Sequence, residues 1–291
     1  MDRAAPYVPP VLSTRYQLGR DAAVRYQDVS VPWILGPFAQ ALVERAGPRP
    51  GDALLDVGCG TGAAARPAAL AVGRSGRVVG LDLNVGMLEV ARSLDGERAP
   101  DPGGTEPAVI EWLEASAEAM PLADDSFDLV IAGQSLQLPP DTSAVAREIR
   151  RVLKPGGRLA ATVWRAPSAS PFYAAEIESI AARLRVEAAQ AFGAGFRMAD
   201  PAPLVDALTA AGMEDVEVGR IDLILDLPPL ADWAPRHLAS TPVAPALAAA
   251  PGIARELGTD LAQAMAEYGT PDGVRAPFSA WFISGRSPGT T

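Results

Sequence analysis

The chain has few of the residues that build disulfide frameworks, zinc clusters and nucleic-acid interfaces. Its 291 residues include one cysteine, Cys59, one histidine, His237, and one lysine, Lys154. A single cysteine excludes an internal disulfide and a cysteine-based zinc cluster. No run of about 18 apolar residues predicts a transmembrane helix, and residues 1–17 lack the apolar segment of a secretion signal. We therefore expect a cytoplasmic protein with no membrane association and no metal site.

Positive charge is also scarce. The 25 basic residues are outnumbered by 35 acidic ones, which gives a formal net charge of −10. Because nucleic acids are bound by neutralising their phosphates, nucleic acid is not an expected partner. With 48% hydrophobic and 21% charged residues, a folded core is expected rather than global disorder. A small molecule is the expected partner, and the sequence leaves assembly open, with a homodimer as one option.

Strand and helix patterns alternate through the middle of the chain. Short apolar runs typical of buried strands occupy residues 53–57, 77–81, 109–113, 127–132 and 158–164. Helical patterns separate them at residues 63–72, 85–93 and 143–153. This alternation predicts a doubly wound, Rossmann-like α/β sheet with parallel strands.

Three parts are expected along the chain. Residues 1–50 form an N-terminal helical lid with a helix at 38–45, residues 51–165 form the ligand-binding core, and residues 166–291 complete the sheet. The last part has helical patterns at 171–190 and 201–211 and late strands at 215–225 and 278–283. The proline- and alanine-rich segment 227–277, with a helix near 255–268, is too long for a tight connection, which is typical of a functional insertion.

A glycine-rich turn follows the first predicted strand, in the sequence DVGCGTG of residues 56–62. Glycines permit tight turns and close ligand approach, and the following helix begins with free N–H groups. The second strand ends at Asp82, an acid that can accept hydrogen bonds from both hydroxyls of a ribose. These features suit S-adenosylmethionine and a nicotinamide dinucleotide alike, because Gly58-x-Gly60-x-x-Ala63 satisfies the relaxed dinucleotide fingerprint.

Two further sequence blocks help to distinguish between these two ligands. ASAEAMPLADDSFDLV occupies residues 115–130, and RRVLKPGGRL occupies residues 150–159. Together with LLDVGCGTG at 54–62 and VVGLDLNVGML at 78–88, they resemble the class I S-adenosylmethionine-dependent methyltransferases, in the broad group that includes the ubiquinone and menaquinone biosynthesis enzymes. The resemblance covers about residues 50–165.

The resemblance implies a seven-stranded sheet with an antiparallel last strand, S-adenosylmethionine as methyl donor and S-adenosylhomocysteine as product. It makes residues 51–165 the donor-binding core and residues 227–277 an acceptor-covering insertion. One alternative is a donor-binding protein of the same fold that does not methylate. A nicotinamide oxidoreductase is less favoured, because such enzymes lack the aspartate-rich block at 124–128.

The resemblance also implies roles at the donor's methionine and ribose. Asp56 would orient the glycine loop and meet the amino group of the methionine moiety. Gly58, Cys59 and Gly60 would bring backbone against that moiety, with the Cys59 thiol as a small filler rather than a reactive group. Asp82 would bind the ribose hydroxyls.

Further residues are expected around the adenine. Leu83 and Met87 would pack on the ring, and Ala117 and Glu118 would lie at its edge.

The residues after the fourth strand and the lid are expected near the reacting methyl group. Ala132, Gly133 and Gln134 would line the methionine end and face the acceptor. Tyr26 is the lid tyrosine expected to reach the methionine carboxylate or the acceptor, ahead of Tyr16.

Methyl transfer from a sulfonium is an in-line displacement that needs a base only if the acceptor must lose a proton. His237, within the 227–277 insertion, is the candidate base, with Tyr26 as a second catalytic candidate. A small, partly apolar acceptor is expected, either a secondary metabolite or a quinone-like compound. The candidate walls of its pocket are aromatic: Phe172, Tyr173, Phe192, Phe196 and Trp233.

Overall fold

A computed structural model describes residues 18–95, 106–184 and 186–289. In these residues one sheet contains β1 Ala53–Val57, β2 Arg77–Asp82, β3 Ile110–Glu114, β4 Phe127–Gly133, β5 Leu153–Trp164, β6 Glu214–Leu227, β7 Gly269–Thr270 and β8 Gly273–Arg286. The strand order is β3-β2-β1-β4-β5-β8-β6, and the two-residue β7 pairs with β8. β8 is antiparallel to both β5 and β6, whereas β1 to β5 pair in parallel. The predicted doubly wound sheet with an antiparallel last strand is confirmed.

The short apolar runs become strands because both faces of the sheet are covered. Successive side chains of a strand point to opposite faces. In β1, Leu54 packs in one buried cluster with Leu129, while Leu55 packs in a second cluster with Val130 on the other face. A strand buried on both sides needs a continuous apolar run rather than an alternating one, which is the pattern in the sequence.

The helices are α1 Arg20–Arg25, α2 Gly36–Ala46, α3 Ala65–Val72, α4 Val85–Ser93, α5 Thr142–Val152, α6 Pro171–Arg183, α7 Val186–Gly193, α8 Ala202–Ala210, α9 Leu230–Leu238, α10 Ala244–Ala249 and α11 Pro251–Ala264. A π-helical segment, Tyr26–Leu35, joins α1 to α2. The prediction of one helix over 171–190 is wrong. Leu184 has an extended backbone with φ −104° and ψ −177°, so the chain forms two helices, and Phe192 of α7 packs on Phe196.

Two helical segments flank the carboxyl ends of the parallel strands. The first comprises α1, the π-helical segment and α2; the start of the expected lid, including Tyr16, lies outside the described residues. The second comprises α9 to α11, in the stretch where an insertion was expected, with α9 against the π-helical segment and α11 against α6. Within the described ranges, no helix is long and apolar enough to cross a membrane.

Candidate functional site

The turn after β1 is fastened to the end of β2 by backbone hydrogen bonds. The N–H groups of Gly58 and Cys59 donate to the Leu81 carbonyl at 2.7 and 3.0 Å. Gly58 has a φ of +71°, and a Cβ at this position would overlap the Cβ of Ser135. Residue 58 must therefore be glycine for two reasons, its backbone conformation and the close approach of the loop after β4.

Asp82 is oriented by two backbone amides at the carboxyl end of β2. Gly60 N–H donates to its Oδ2 at 2.7 Å, and Asn84 N–H donates to its Oδ1 at 2.8 Å. Burial raises the pKa of Asp82, and these backbone hydrogen bonds oppose the rise. Each carboxylate oxygen retains capacity to accept another hydrogen bond, so the side chain can receive two ligand hydroxyls.

Asp56 carries an unpartnered oxygen in the core of the sheet. The residue is 1% exposed, and its Oδ2 has no hydrogen-bond partner among the described residues. Burial, followed by the charge of Asp82, raises the pKa of Asp56 to about 7. A small cavity of about 30 Å³ lies beside Asp56 and is also lined by Cys59 and Gln134. The side-chain amide of Gln134 is likewise buried without a partner in the described part of the chain. A ligand with a cationic group could therefore bind with its cation at Asp56 and a neighbouring polar group at Gln134.

A larger cavity of about 230 Å³ begins at the glycine turn and extends under the π-helical segment. At one end it is lined by Gly58, Gly60 and Asp82, and Tyr26 lines both this cavity and the small one. A Cβ on Gly60 would lie 3.9 Å from the Tyr26 Oη, so the tyrosine hydroxyl stands over the glycine turn.

The far end of the larger cavity is aromatic. Trp164, Tyr173, Phe192 and Phe196 line it. Trp164 meets Tyr173 edge-on with ring centroids 5.0 Å apart, and Tyr173 meets Phe196 in the same way at 5.1 Å. We refer to this end, formed by these four residues, as the aromatic chamber. Its walls suit a flat apolar molecule.

Two of the aromatic residues predicted to line the acceptor pocket lie behind its wall. Phe172 is fully buried and packs on His237, and neither it nor Trp233 lines the cavity. The Trp233 ring stacks on His237 with centroids 4.8 Å apart, and its Nε1–H donates to the Val29 carbonyl. Tyr173, Phe192 and Phe196 do line the pocket.

A polar group closes the cavity beside the aromatic chamber. Ser30, His237, Ser240 and Thr241 line it there. His237 is 6% exposed, and burial lowers its pKa to about 4. Its Nδ1 lies 2.8 Å from the Ser30 Oγ, and its Nε2 lies 3.4 Å from Oε1 of Glu176.

Sequence reasoning missed Ser30 and Glu176. Glu176 is fully buried on α6, and burial raises its pKa well above the usual carboxyl value. A signal for it was available, because Phe172, Glu176 and Ile180 recur every four residues on one helical face. An acidic residue between apolar residues on one helical face indicates a buried carboxyl group. Ser30 carries no comparable signal.

The structure brings most of the sequence-predicted site residues around the two cavities. The larger one is lined by Tyr26, Gly58, Gly60, Asp82, Leu83, Met87, Ala117, Glu118, Gly133, Gln134 and His237, and the smaller one by Asp56 and Cys59. Ala132 is buried in the core and lines neither cavity. One oxygen of Glu118 accepts the Asp141 N–H at 2.8 Å. Burial, with the nearby charges of Asp82 and Asp56, raises the pKa of Cys59, which keeps its sulfur in the thiol form.

Comparisons with known proteins agree on one family. A family profile described as a methyltransferase domain matches residues 55–161. Nocamycin O-methyltransferase of Saccharothrix syringae is 35% identical over 208 residues, which cover 66% of this chain and 70% of that protein. Demethylmenaquinone methyltransferase of Lactococcus lactis is 41% identical over 117 residues, which cover 40% of this chain and 44% of the relative. The match thus spans less than half the length of that quinone enzyme.

Solved structures share the fold. The YcgJ protein of Bacillus subtilis superposes with a TM-score of 0.55 at 22% identity, covering 87% of this chain and 99% of that one.

Proposed function

The chain belongs to the class I S-adenosylmethionine-dependent methyltransferases, and we propose that it methylates a small, partly apolar acceptor bound in the aromatic chamber. The observation that carries this proposal is the continuous cavity, which joins the glycine turn to the chamber. Relatives named for nocamycin and demethylmenaquinone support an acceptor of the secondary-metabolite or quinone-like class.

The donor end of the cavity matches the polar groups of S-adenosylmethionine. Asp82 would accept hydrogen bonds from the ribose hydroxyls with the two oxygens that its backbone partners orient. The unpartnered Asp56 oxygen would receive the ammonium of the methionine moiety. Leu83 and Met87 would flank the adenine, with Ala117 at its edge.

The protein's contribution to the reaction is positioning and exclusion of water. S-adenosylmethionine supplies a methyl group already activated on a sulfonium. Tyr26 and Gln134 each line both cavities, where they would border the reacting centre. Residues of the π-helical segment line the same cavity, and there they would shield a bound acceptor from solvent and help to align it for in-line attack.

A methyl-transfer assay tests the proposal. The protein is incubated with methyl-labelled S-adenosylmethionine and hydroquinones, polycyclic phenols and aromatic amines, and both S-adenosylhomocysteine and labelled product are measured. We expect product with at least one flat acceptor. Tight binding of S-adenosylhomocysteine without product in any class would favour a donor-binding protein that does not methylate. Binding of NAD in place of S-adenosylhomocysteine would favour an oxidoreductase.

A matched pair of variants tests the donor end. Asp82→Asn turns an amide N–H toward one of two backbone N–H donors, so we expect the Kd for S-adenosylhomocysteine to rise about tenfold or more. Asp226→Asn, on the exposed part of β6, is the control and should bind normally. Equal affinities in the two variants, measured by calorimetry, would contradict the assignment of Asp82.

A further inference from the structure

We propose that Ser30, His237 and Glu176 form a proton relay that accepts the proton of a hydroxyl acceptor, so that the reaction is an O-methylation. This inference rests on the proposed function and adds the class of the accepting atom. None of these three residues belongs to the motifs of the donor-binding core.

The three side chains form a line that leads away from the cavity. Ser30 and His237 line the cavity beside the aromatic chamber, and Glu176 lies behind His237. The Ser30 Oγ is 2.8 Å from His237 Nδ1, and His237 Nε2 is 3.4 Å from Glu176 Oε1. Their exposed fractions are 1%, 6% and 0% in that order.

The inner end of this line is left without hydrogen bonds. Both carboxylate oxygens of Glu176 and Nε2 of His237 are buried with no hydrogen-bond partner among the described residues. A buried unsatisfied polar group destabilises the folded protein, and an apolar residue at position 176 would avoid that cost. Such groups need an explanation, and a proton-accepting role supplies one.

Ser240 restricts how the hydroxyl protons can be arranged. The Ser240 Oγ donates to the His237 carbonyl at 2.7 Å and lies 2.9 Å from the Ser30 Oγ. With the Ser240 proton on the His237 carbonyl, Ser30 can donate either to Ser240 or to His237 Nδ1. Two states follow, and they differ in the protonation of Glu176.

With Glu176 protonated, its O–H faces Nε2 of His237. Nδ1 then carries the imidazole proton and donates to Ser30, which in turn donates to Ser240. With Glu176 ionised, the imidazole proton moves to Nε2 and faces the carboxylate. Nδ1 then accepts the Ser30 proton, and the Ser30 oxygen can accept a proton from a hydroxyl in the cavity.

The proton balance of the step is complete. As the acceptor oxygen bonds to the methyl carbon and the carbon–sulfur bond breaks, the acceptor proton moves to the Ser30 Oγ. The Ser30 proton moves to His237 Nδ1, and the Nε2 proton moves to Glu176. The positive sulfonium and the negative carboxylate are both neutralised, which suits a site of low dielectric constant.

Among the residues that the structure describes, no neighbouring charge competes with His237 for Glu176. Burial is the cause of the raised pKa of Glu176, and a carboxylate with a raised pKa is a better base near neutral pH than an ordinary one. Charged residues of the elements around the relay are exposed or paired with one another instead: Asp28, Glu187, Asp232, Arg236, Arg255, Arg275 and the cluster of Arg183 with Glu256 and Asp260.

Kinetics of the full-length protein with a hydroxyl acceptor test the relay. We expect Glu176→Gln and Ser30→Ala each to lower kcat by about tenfold or more while the Kd for S-adenosylhomocysteine is unchanged. The wild-type kcat should rise with pH through one ionisation, which Glu176→Gln should lose. Glu178→Gln, an exposed acid on the same helix, is the matched control and should keep both kcat and pH profile.

Two further measurements separate a relay from a structural role. A phenol acidic enough to be ionised before binding should restore the rate of both variants, because no proton then has to be removed. Difference infrared spectroscopy should show a protonated carboxylic acid at low pH that is lost at high pH and absent in Glu176→Gln.

The relay is overturned if both variants retain kcat and the pH profile with a hydroxyl acceptor, if only amine or carbon acceptors are methylated, or if the infrared band is missing at every pH. If any of these results is obtained while methylated product still forms, only the relay is wrong and the proposed methyl-transfer function is retained. Failure of the proposed function is distinct, because no acceptor class would then yield product.

Discussion

Asp56 places a carboxyl group where the sheet is most deeply buried. It lies in β1 between the apolar strands β2 and β4, its neighbour Asp82 is also acidic, and its Oδ2 has no hydrogen-bond partner in the described chain. A residue in such a position costs stability unless a ligand supplies the missing partner. The ammonium of the donor would supply both the charge and the hydrogen bonds.

Donor affinity should therefore depend on pH. The pKa of Asp56 is raised to about 7, so the carboxylate that attracts an ammonium prevails above that pH and is lost below it. We expect the affinity for S-adenosylhomocysteine to fall as the pH drops through 7, and Asp56→Asn to bind about tenfold or more weakly with a flatter dependence. Calorimetry across neutral pH measures both. An unchanged pH dependence in Asp56→Asn would remove Asp56 from donor binding.

Gly58 allows a test of close packing, because glycine is required there both by the positive φ and by the nearby Ser135 side chain. Gly58→Ala would suffer both from its positive φ and from the overlap with Ser135, whereas Gly156→Ala has a similar φ of +74° and nothing within 4 Å. We expect Gly156→Ala to lose about 1–2 kcal/mol of unfolding free energy and Gly58→Ala clearly more. Urea unfolding gives both values. Equal losses would mean that the contact with Ser135 carries no energetic weight.

At the residue scale, the sequence indicated which residues gather at the glycine turn, but it did not predict the arrangement of Ser30, Glu176 and His237. Asp56 lies near the carboxyl end of β1 and Asp82 is the last residue of β2, each within a contiguous motif, so local sequence predicts that they share one sheet edge. Ser30, Glu176 and His237 come from three separate elements. Only tertiary packing brings them together, and no spacing in the sequence reports it.

Among the elements, the π-helical segment Tyr26–Leu35 contributes four residues to the wall of the larger cavity: Tyr26, Ser30, Ile34 and Leu35. Such segments are rare and often lie at functional sites. Side-chain hydrogen bonds join it to α9 and the residues that follow: Trp233 Nε1–H donates to the Val29 carbonyl at 3.1 Å, and the Ser30 Oγ lies 2.8 Å from His237 Nδ1 and 2.9 Å from the Ser240 Oγ. Arg25, at the end of α1, donates its Nε–H to the Ala239 carbonyl at 3.3 Å. Weakening these contacts should loosen the segment without disturbing the sheet.

Trp233→Phe removes one of these bonds and keeps an aromatic ring. We expect faster hydrogen exchange of the amides in Tyr26–Leu35, by about a factor of five to ten for the loss of a hydrogen bond worth about 1 kcal/mol. Amides of β1 should be unaffected. Trp281→Phe is the matched control, because Trp281 Nε1–H also donates to a backbone carbonyl, that of Ala199. The same acceleration of Tyr26–Leu35 in both variants would contradict this role of Trp233.

The elements differ in how well sequence predicts them. β1 was predicted with its observed bounds, since a five-residue apolar run before a glycine turn has few other outcomes. The single helix expected over 171–190 failed, because apolar periodicity continues across Leu184 while the backbone does not. The extended residue lets α7 turn back and bring Phe192 to the aromatic chamber, which is a requirement of the cavity.

Across the whole molecule, the sheet and the helical segments at its edge have different roles. Parallel pairing brings the ends of β1, β2 and β4 to one edge, where the residues proposed to bind the donor gather. The chain covers that edge from both directions, with the π-helical segment before the sheet and α9 after β6. Alternating strand and helix patterns predicted the sheet, whereas the shape of the enclosed chamber depends on packing between segments that are distant in sequence.

A crystal structure with S-adenosylhomocysteine would show whether the donor binds at the glycine turn with its sulfur toward the aromatic chamber. We expect adenine beside Leu83 and Met87, ribose hydroxyls on Asp82, the ammonium at Asp56 and the sulfur facing the aromatic chamber. Two results would contradict this assignment: S-adenosylhomocysteine bound outside the two cavities, or bound in the reverse orientation with its adenine in the aromatic chamber.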